Sequence, residues 1–272
     1  MRLIHAASFV LALLVSSAAA FAAEYQTEKD IPYREGDNLS DYEKERCKVD
    51  VYYPADEKGF ATVVWFHGGG ITGGSKSVPK ELQGKGFAVV AVNYRLSPKV
   101  TAPAYIEDAA AAIAWTFKNI ERYGGDPNKI FVSGYSAGGY LTGIVCLDKR
   151  WLAAHEIDAD KLAGFAPLSG QMFTHFTIRA ERGIGQNTPI IDDLAPAYYP
   201  RKETPPMLLV TGDRELDMLG RYEENAYLCR MMTGLGNKQV KLHEVGGFNH
   251  GTAVPPALQL LVEFVKKQTG AK

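Results

Sequence analysis

The chain of 272 residues has few cysteines, almost no net charge and no long apolar run beyond its N-terminal segment. Three cysteines, Cys47, Cys146 and Cys229, are too few and too scattered for a disulfide scaffold and allow at most one bridge. A formal net charge of -1 gives no reason to expect a nucleic-acid or anionic-membrane partner. No pattern in the sequence indicates an oligomeric state.

Repeats, low-complexity tracts and interdomain linkers are also lacking. The 46% hydrophobic and 22% charged residues are close to the averages of soluble globular domains, which excludes disordered and fibrous proteins. Neither the P-loop pattern nor a G-x-G-x-x-G fingerprint opens a helix here, so nucleotide-binding loops are not indicated. A single well-packed domain fits this length.

The N-terminal segment has the features of a secretory signal peptide. Arg2 precedes the apolar run Ala6 to Val15, and Ala20 and Ala22 then fit the small-x-small pattern of a cleavage site after Ala22. A membrane anchor is the alternative, but it needs about 20 apolar residues. We therefore expect a signal peptide over 1–22, a mature domain over 23–272, secreted or periplasmic localisation, and no stable membrane insertion once the leader is removed.

After an irregular arm predicted for residues 24–48, short apolar runs alternate with longer helical patterns. The predicted strands are Lys48 to Tyr53, Ala61 to Phe66, Phe87 to Asn93, Ile130 to Ser133, Leu162 to Leu168, Met207 to Thr211 and Val240 to Val245. The predicted helices are Val78 to Lys85, Ala104 to Tyr123, Ala137 to Leu147, Met218 to Thr233 and Pro255 to Lys267. Apolar strands that alternate with helices predict an α/β fold, with a mostly parallel twisted sheet covered on both faces.

One segment interrupts this alternation. Residues 171–205 contain several aromatic residues and prolines without a clear period, which is long for a plain loop in a compact domain. Long insertions of this kind are often lids or binding loops. We therefore expect a lid-like or substrate-binding insert, with a surface excursion without function as the alternative.

The strongest local signal is the match to G-x-S-x-G over Gly134 to Gly138, between a predicted strand and a predicted helix. A nucleophile on a sharp strand-to-helix turn crowds its neighbours, and the two glycines remove side chains that would clash. Ser136 is therefore the predicted nucleophile. The residue after such a serine supplies a backbone N–H to an oxyanion hole, which here is that of Ala137.

A second signal is the run His67 to Gly70, directly after a buried strand. Glycines at a strand end leave backbone N–H groups bare, so they can approach a developing oxyanion closely. Loops of this HGGG type contribute the other half of the oxyanion hole in lipases and esterases. Gly69 and Gly70 are the favoured donors, and Gly68 is the alternative.

A serine nucleophile needs a histidine base and a carboxylate that orients the base. His250 lies in a glycine-rich loop between the last predicted strand and the last helix, which brings it to the same sheet edge as Ser136. His175, in the insert, is the reserve candidate. For the acid, the residues themselves leave three choices in one loop: Asp213, Glu215 and Asp217.

These motifs together resemble the α/β-hydrolase superfamily, more narrowly the carboxylesterases of the hormone-sensitive-lipase-like and the feruloyl- or acetylxylan-esterase-like type. The resemblance covers roughly residues 45–270. It rests on His67 to Gly70, on Val92 to Leu96, on Pro103, Asp108 and Trp115, on Gly125 to Pro127, and on Ser136 to Gly139. Tyr135 stands where lipase-like members commonly have aspartate, and the N-terminal arm is short for their helical cap. Both departures favour the feruloyl- and acetylxylan-esterase side.

The resemblance implies Ser136 as nucleophile, His250 as base, and the N–H groups of Gly69, Gly70 and Ala137 as oxyanion donors. In the family the acid usually lies three residues after the glycine that closes its strand, and counting from Gly212 gives Glu215. Family members mostly have aspartate there, so Asp213 and Asp217 stay as rivals.

The expected reaction is hydrolysis of a carboxylic ester through an acyl-enzyme, and such a site requires neither a metal nor an organic cofactor. The expected partner is a small ester, neutral and moderately apolar. An amide-directed hydrolase on the same fold is the first alternative, because Leu168 to Gly170 also resembles arylformamidase-like enzymes; a peptidase belongs to the same class. A binding protein that keeps the fold without catalysis is the second.

Overall fold

A computed structural model describes residues 24–271 as one eight-stranded sheet with helices on both faces. The predicted signal peptide, 1–22, lies outside the described residues. The strands are β1 (Tyr25–Pro32), β2 (Lys48–Pro54), β3 (Phe60–Phe66), β4 (Phe87–Val92), β5 (Gly125–Tyr135), β6 (Gly164–Leu168), β7 (Met207–Gly212) and β8 (Val240–Val245). The helices are α1 (Asp41–Arg46), α2 (Ala104–Asn119), α3 (Ala137–Leu147), α4 (Arg150–Ala153), α5 (Phe176–Glu181), α6 (Arg221–Gly234) and α7 (Val254–Thr269).

The strand order is β1-β2-β4-β3-β5-β6-β7-β8. Pairing is antiparallel between β1 and β2 and between β2 and β4, and parallel in the rest of the sheet. Because β3, β5, β6, β7 and β8 run in the same direction, the loops that follow them meet at one edge of the sheet. All the candidate site residues lie in these loops.

The sheet is buried on both faces, as the apolar strand patterns predict. Neighbouring residues of β3 point to opposite faces, so Val64 packs in one core cluster and Val63 in the other. Helices α2, α3 and α6 cover the first face, and α7 covers the second. The α/β class and the mostly parallel sheet are therefore confirmed. Cys146 is fully buried in the first cluster.

The expectation of an irregular arm over residues 24–48 is wrong. Residues Tyr25–Pro32 form the edge strand β1, and Asp41–Arg46 form a helix with a capping box at Ser40. The sequence hides β1 because its side chains are mostly exposed and polar, so no apolar alternation marks it. Its stability comes from backbone pairing with β2, and its charged side chains discourage pairing with another chain.

The helix predicted over Val78 to Lys85 is also wrong. Only a single 3₁₀ turn, Lys80–Leu82, forms there. Pro79 precedes the turn and Gly84 adopts a positive φ of 67°, so the chain leaves the helical conformation on both sides. Leu82 is fully buried, and its burial accounts for the apolar signal.

The insert over residues 171–205 is packed against the domain. It contains the short helix α5 and the 3₁₀ turn Pro196–Tyr198. Met172, Thr174 and Ile178 are fully buried. Among the described residues, no helix has the length and apolar character required to cross a membrane.

Candidate active site

Ser136 lies on a strained turn between β5 and α3. Its φ of 57° and ψ of -114° are unusual for a residue with a side chain. Glycine is required on both sides of Ser136 because other backbone atoms come close to the positions that a Cβ atom would occupy. A Cβ atom on Gly138 would lie 2.0 Å from the Phe66 carbonyl oxygen, and one on Gly134 would lie 2.6 Å from the Gly138 carbonyl carbon. The G-x-S-x-G glycines thus let the turn fit against β3 and present the Ser136 hydroxyl at the sheet edge.

The imidazole of His250 contacts the Ser136 hydroxyl. His250 follows β8, and its Nε2 lies 2.9 Å from Ser136 Oγ. Only 25% of the His250 side chain is exposed, and its Nδ1 lies 2.7 Å from Asp217 Oδ1. A neutral imidazole that donates Nδ1–H to a carboxylate has Nε2 free to accept the serine proton. The structure therefore brings together Ser136 and His250, the two residues predicted from the motifs.

The prediction of Glu215 is corrected by the contacts, which place Asp217 and not Glu215 beside the imidazole. The Glu215 side chain is exposed to solvent, whereas the Asp217 side chain is fully buried beside His250. The chain turns back after β7, with the Asp217 N–H donating to the Asp213 carbonyl at 2.7 Å. This turn directs position 217 inward and position 215 outward, a two-residue difference that the sequence pattern does not encode.

Asp213, the other rival, supports the loops without contacting the imidazole. Its Oδ2 accepts the Gly247 N–H at 2.7 Å, and its Oδ1 accepts the Glu215 N–H at 2.9 Å. The Asp213 N–H also donates to the Phe248 carbonyl at 2.9 Å. Asp213 therefore joins the loop after β7 to the loop that carries His250.

The Asp217 carboxylate is held ionised. Burial alone would raise its pKa, but hydrogen bonds from His250, Ser169 and the Met218 N–H outweigh this effect and lower the pKa to about 2. The Met218 N–H donates to Oδ1 at 2.7 Å, and the Gly212 N–H donates to Oδ2 at 2.8 Å. A permanent negative charge at this position can stabilise a protonated His250.

Ser169 is a site residue that the motifs did not identify. It follows β6, has a φ of 45°, and donates its hydroxyl to Asp217 Oδ2 at 2.6 Å. The same oxygen lies 3.2 Å from His250 Nδ1. The available signal was its position at the carboxyl end of the strand next to β5, where the loops of a parallel sheet converge.

Tyr135 connects the turn at Ser136 to the loop that carries His250. Its hydroxyl donates to the His250 backbone carbonyl, and its ring lies 5.2 Å from the imidazole. Burial raises the pKa of Tyr135 to about 12, so the phenol stays protonated and acts as a donor at neutral pH. Its hydroxyl thus fixes the backbone of the loop that carries the proposed base.

The glycine loop after β3 lies against Ser136. A Cβ atom on Gly68 would be 3.4 Å from Ser136 Cβ, and Gly69 and Gly70 have positive φ values of 112° and 63°. Within residues 24–271, the N–H groups of Gly69, Gly70 and Ala137 have no acceptor. These three predicted donors are thus free to bind an oxyanion.

His67 shapes this loop. Its Nδ1 lies 2.6 Å from the Gly68 carbonyl, its Nε2 lies 3.5 Å from an Arg46 nitrogen, and its ring stacks on Tyr94. These contacts fit a neutral imidazole with the proton on Nδ1. Burial lowers the pKa of His67 to about 4, so the ring remains neutral at physiological pH.

The reserve base, His175, makes no hydrogen bond to Ser136 in the part of the chain that the structure describes. Its Nδ1 accepts the Thr177 N–H at 3.2 Å and caps the start of α5. Burial lowers the pKa of His175 well below its usual value, and the positive charges of Arg221 and Arg179 lower this pKa further. His175 is therefore a buried structural histidine of the insert, and the expectation that it serves as an alternative base is not supported by its contacts.

Solved structures similar to this chain share its architecture. A truncated carbohydrate esterase from gut microbiota has a TM-score of 0.73 at 18% identity, with 93% of this chain and 99% of that chain covered. Native esterase 2 of Thermogutta terrifontis has a TM-score of 0.66 at 23% identity, with 90% and 92% covered. The chain has the α/β-hydrolase fold.

Sequence comparisons relate this α/β-hydrolase chain to esterases. Esterase LipC of Mycobacterium tuberculosis is 27% identical over 205 residues, which are 69% of this chain and 50% of LipC. A probable isoprenylcysteine alpha-carbonyl methylesterase of Oryza sativa is 34% identical over 122 residues, which are 43% of this chain and 29% of that protein. The chain thus spans half or less of the length of these curated relatives.

The family model described as BD-FAE matches residues 49–164, less than half of the chain. This range includes the glycine loop after β3 and Ser136, but it ends before Asp217 and His250. The match therefore agrees with the predicted resemblance to carboxylesterases for the half of the hydrolase that carries the nucleophile. Outside that range, Asp217 and His250 are linked to Ser136 by their contacts alone.

Ser169→Ala is expected to lower kcat of this α/β hydrolase about tenfold. The change removes one of the hydrogen bonds that orient Asp217, and such a bond contributes about 1.5 kcal/mol when it involves a charged group. Steady-state kinetics with a 4-nitrophenyl ester measures the effect. Ser133→Ala is the matched control, because the Ser133 hydroxyl is also buried and donates to a β6 carbonyl at 2.6 Å without touching the acid or the base. Equal kcat losses in both variants would contradict a positioning role for Ser169.

Proposed function

We propose that this chain is a carboxylesterase that uses Ser136 as nucleophile, His250 as general base and Asp217 as the acid that orients the base. The observation that carries the proposal is the continuous hydrogen-bonded chain from Ser136 Oγ through the imidazole to Asp217, with distances of 2.9 and 2.7 Å. The relationship to curated esterases supports the same reaction class.

In the proposed acylation step, Ser136 Oγ attacks the ester carbonyl carbon while His250 Nε2 takes the hydroxyl proton. The C–O bond to the alcohol then breaks, and the imidazolium returns the proton to the leaving alkoxide. In deacylation, His250 takes a proton from water, the hydroxide attacks the acyl carbonyl, and the proton returns to Ser136 Oγ. Each cycle consumes one ester and one water and releases one acid and one alcohol.

Negative charge on the carbonyl oxygen is the main obstacle in both steps. We propose that the N–H groups of Gly69, Gly70 and Ala137 stabilise it as an oxyanion hole. Their lack of acceptors in the described part of the chain supports this role, because a donor without a partner needs no rearrangement when charge develops. A single donor of this kind typically contributes a factor on the order of 10² to 10³ in rate.

A substrate panel tests the reaction class. The mature protein is assayed with 4-nitrophenyl acetate and butyrate, with N-formylkynurenine and with a peptide anilide, and the protein is also treated with diisopropyl fluorophosphate. We expect turnover of the esters and stoichiometric labelling of the peptide that contains Ser136. A preference for N-formylkynurenine or the anilide would make the chain an amide-directed hydrolase. Absence of both turnover and labelling would support a binding protein instead.

We also propose that the chain is exported after cleavage following Ala22. Support comes from the sequence alone: the basic residue Arg2, the apolar run and the small residues up to the cleavage position. Expression of the full chain in a bacterium with a secretory system, followed by fractionation and N-terminal sequencing, tests this. An N-terminus at Ala23 in the exported fraction is the expected result. An uncleaved, membrane-bound product would show a membrane anchor instead.

A further inference from the structure

A cavity of about 220 Å³ lies between the insert and the start of α6. Phe176 and Arg179 line it from the insert, and Met218 and Arg221 line it from the loop that follows the proposed acid. Two of its lining residues connect it to the proposed site. Phe176 Cζ would lie 3.2 Å from a Cβ atom on Gly70, and Met218 directly follows Asp217.

The two arginines of this cavity are almost fully buried, with exposed fractions of 3% for Arg179 and 2% for Arg221. Charged side chains are rarely buried to this extent without a partner of opposite charge. Within the described residues, neither guanidinium forms an ion pair, and the Nε atom of each is buried without a hydrogen-bond partner. Both groups therefore retain donors that the protein itself does not use.

Their hydrogen bonds use only part of the five donors of a guanidinium. Arg179 Nη1 donates to the Thr188 carbonyl. Arg221 Nη1 donates to the Ser169 carbonyl, and its Nη2 lies 3.6 Å from the Met218 sulfur, which is a weak acceptor. Arg221 contacts the carbonyl of Ser169, whose hydroxyl donates to Asp217. Arg179 has no such link to the proposed acid in the described residues, so we assign the main contact with a ligand to Arg179.

Two glutamates also line this cavity, but within the described residues neither forms an ion pair with Arg179 or Arg221. Glu224 lines it, but its oxygens accept the N–H groups of Met172 and Phe173 at 2.8 and 3.0 Å and the Gln171 amide at 3.3 Å. Glu223 also lines the cavity, with its side chain exposed to water, where a charge is screened. Burial lowers the pKa of Arg179, and Glu224 alone opposes that effect.

We infer that this cavity binds a carboxylate carried by the substrate. The preferred esters then have a free carboxylate group in addition to the ester group that is hydrolysed. Planar guanidinium groups with unused donors match a carboxylate in shape and charge. The rings of Phe173 and Phe176 line the same cavity and provide an apolar contact for the chain between the carboxylate and the ester. This differs from the neutral ester expected from composition, and it rests on the proposed esterase function.

Matched pairs of esters test the inference. On the acyl side, the mono-4-nitrophenyl esters of adipic and suberic acid are compared with 4-nitrophenyl hexanoate and octanoate. On the alcohol side, 4-acetoxybenzoate is compared with its methyl ester. We define the charge preference as the ratio of kcat/KM for the charged ester to kcat/KM for its neutral partner. In the wild-type protein we expect a charge preference of at least about tenfold in one of the pairs, because a charge-assisted hydrogen bond contributes about that factor.

Arg179→Gln is expected to reduce that charge preference at least about tenfold, and Arg179→Lys, which keeps the positive charge, should retain part of it. Arg182→Gln is the matched control: it lies in the same segment, pairs with Asp192 and has a side chain that is 40% exposed. This control should leave kcat/KM unchanged for both esters of each pair. An unchanged charge preference in Arg179→Gln would overturn the inference.

A measurement on the wild-type protein covers the case in which the Arg179 variants do not fold. Hexanoate and hexanamide are compared as competitive inhibitors of 4-nitrophenyl butyrate hydrolysis, and we expect hexanoate to bind at least about tenfold more tightly. Equal inhibition, or a preference for the neutral ester in every pair, would overturn the inference while ester hydrolysis persists. Failure to hydrolyse any ester would instead refute the proposed function.

Discussion

Ser136→Ala should lower kcat for 4-nitrophenyl butyrate by on the order of 10⁶-fold, as loss of the nucleophile does in other serine hydrolases with a triad. The substitution removes the hydroxyl oxygen that we propose forms the acyl-enzyme, and it leaves the proposed oxyanion donors in place. Its effect on folding should be small, because the turn is held by backbone bonds. The Ser136 N–H donates to the Leu168 carbonyl at 2.8 Å, and the Tyr140 N–H donates to the Ser136 carbonyl at 3.0 Å.

Stopped-flow and steady-state assays measure the loss, with thermal unfolding as the test of integrity. Ser77→Ala is the control, since Ser77 is an exposed serine in a loop away from the imidazole, and it should keep full activity. Substantial ester hydrolysis by a folded Ser136→Ala protein would end the nucleophile assignment. The same result would also require another residue to receive the acyl group.

The sequence predicted the buried part of this fold well because burial leaves a pattern. Seven of the strands lie within a few residues of the apolar runs, and α3 spans the predicted range, Ala137–Leu147. The edge strand β1 left no such pattern, because its side chains are exposed and its stability comes from backbone pairing. The helix predicted at Val78 to Lys85 failed for a local reason, the proline and the left-handed glycine that bound its single turn.

In the site, as in the fold, features that depend on neighbouring residues were predictable from the sequence, and features that depend on distant segments were not. Ser136 and the glycine loop are marked by residues that only those turns require, so each could be found from a few neighbouring positions. The role of Ser169 depends on β6 lying beside β5 and β7, which is a property of the whole sheet. The charged cavity depends on α5 and α6, which are separated by some forty residues of chain, and no local pattern brings Arg179 close to Arg221.

The carboxylate beside His250 was the part of the site that the sequence predicted least well. Asp213, Glu215 and Asp217 have similar chemistry and lie within five residues, so only the path of the backbone separates them. Gly212 permits the turn: its N–H donates to Asp217 Oδ2, and a Cβ atom there would lie 3.0 Å from that oxygen. Gly212, which closes β7, thus helps to position the Asp217 carboxylate.

Asp217→Asn should lower kcat by about 10⁴-fold, the loss seen when the acid of a triad becomes an amide. An amide cannot stabilise the imidazolium that forms during attack. Its N–H group can also donate to His250 Nδ1, which would leave the proton on Nε2, the nitrogen that must accept it from Ser136. Because the pKa of Asp217 is lowered to about 2, its carboxylate is ionised across the whole pH range in which esters can be assayed. Protonation of Asp217 should therefore not limit the wild-type rate anywhere in that range.

The neighbouring carboxylates provide the comparison that decides the assignment. Glu215→Gln should change kcat by no more than about twofold, because an exposed surface substitution contributes within about 0.5 kcal/mol. Asp213→Asn should have a larger effect than Glu215→Gln but a much smaller one than Asp217→Asn, since it weakens the support of the histidine loop without touching the imidazole. The three variants are ranked by kcat at fixed pH after each is shown to unfold cooperatively. A greater loss in Glu215→Gln than in Asp217→Asn would require the loop after β7 to adopt a different path during catalysis, with position 215 directed toward His250.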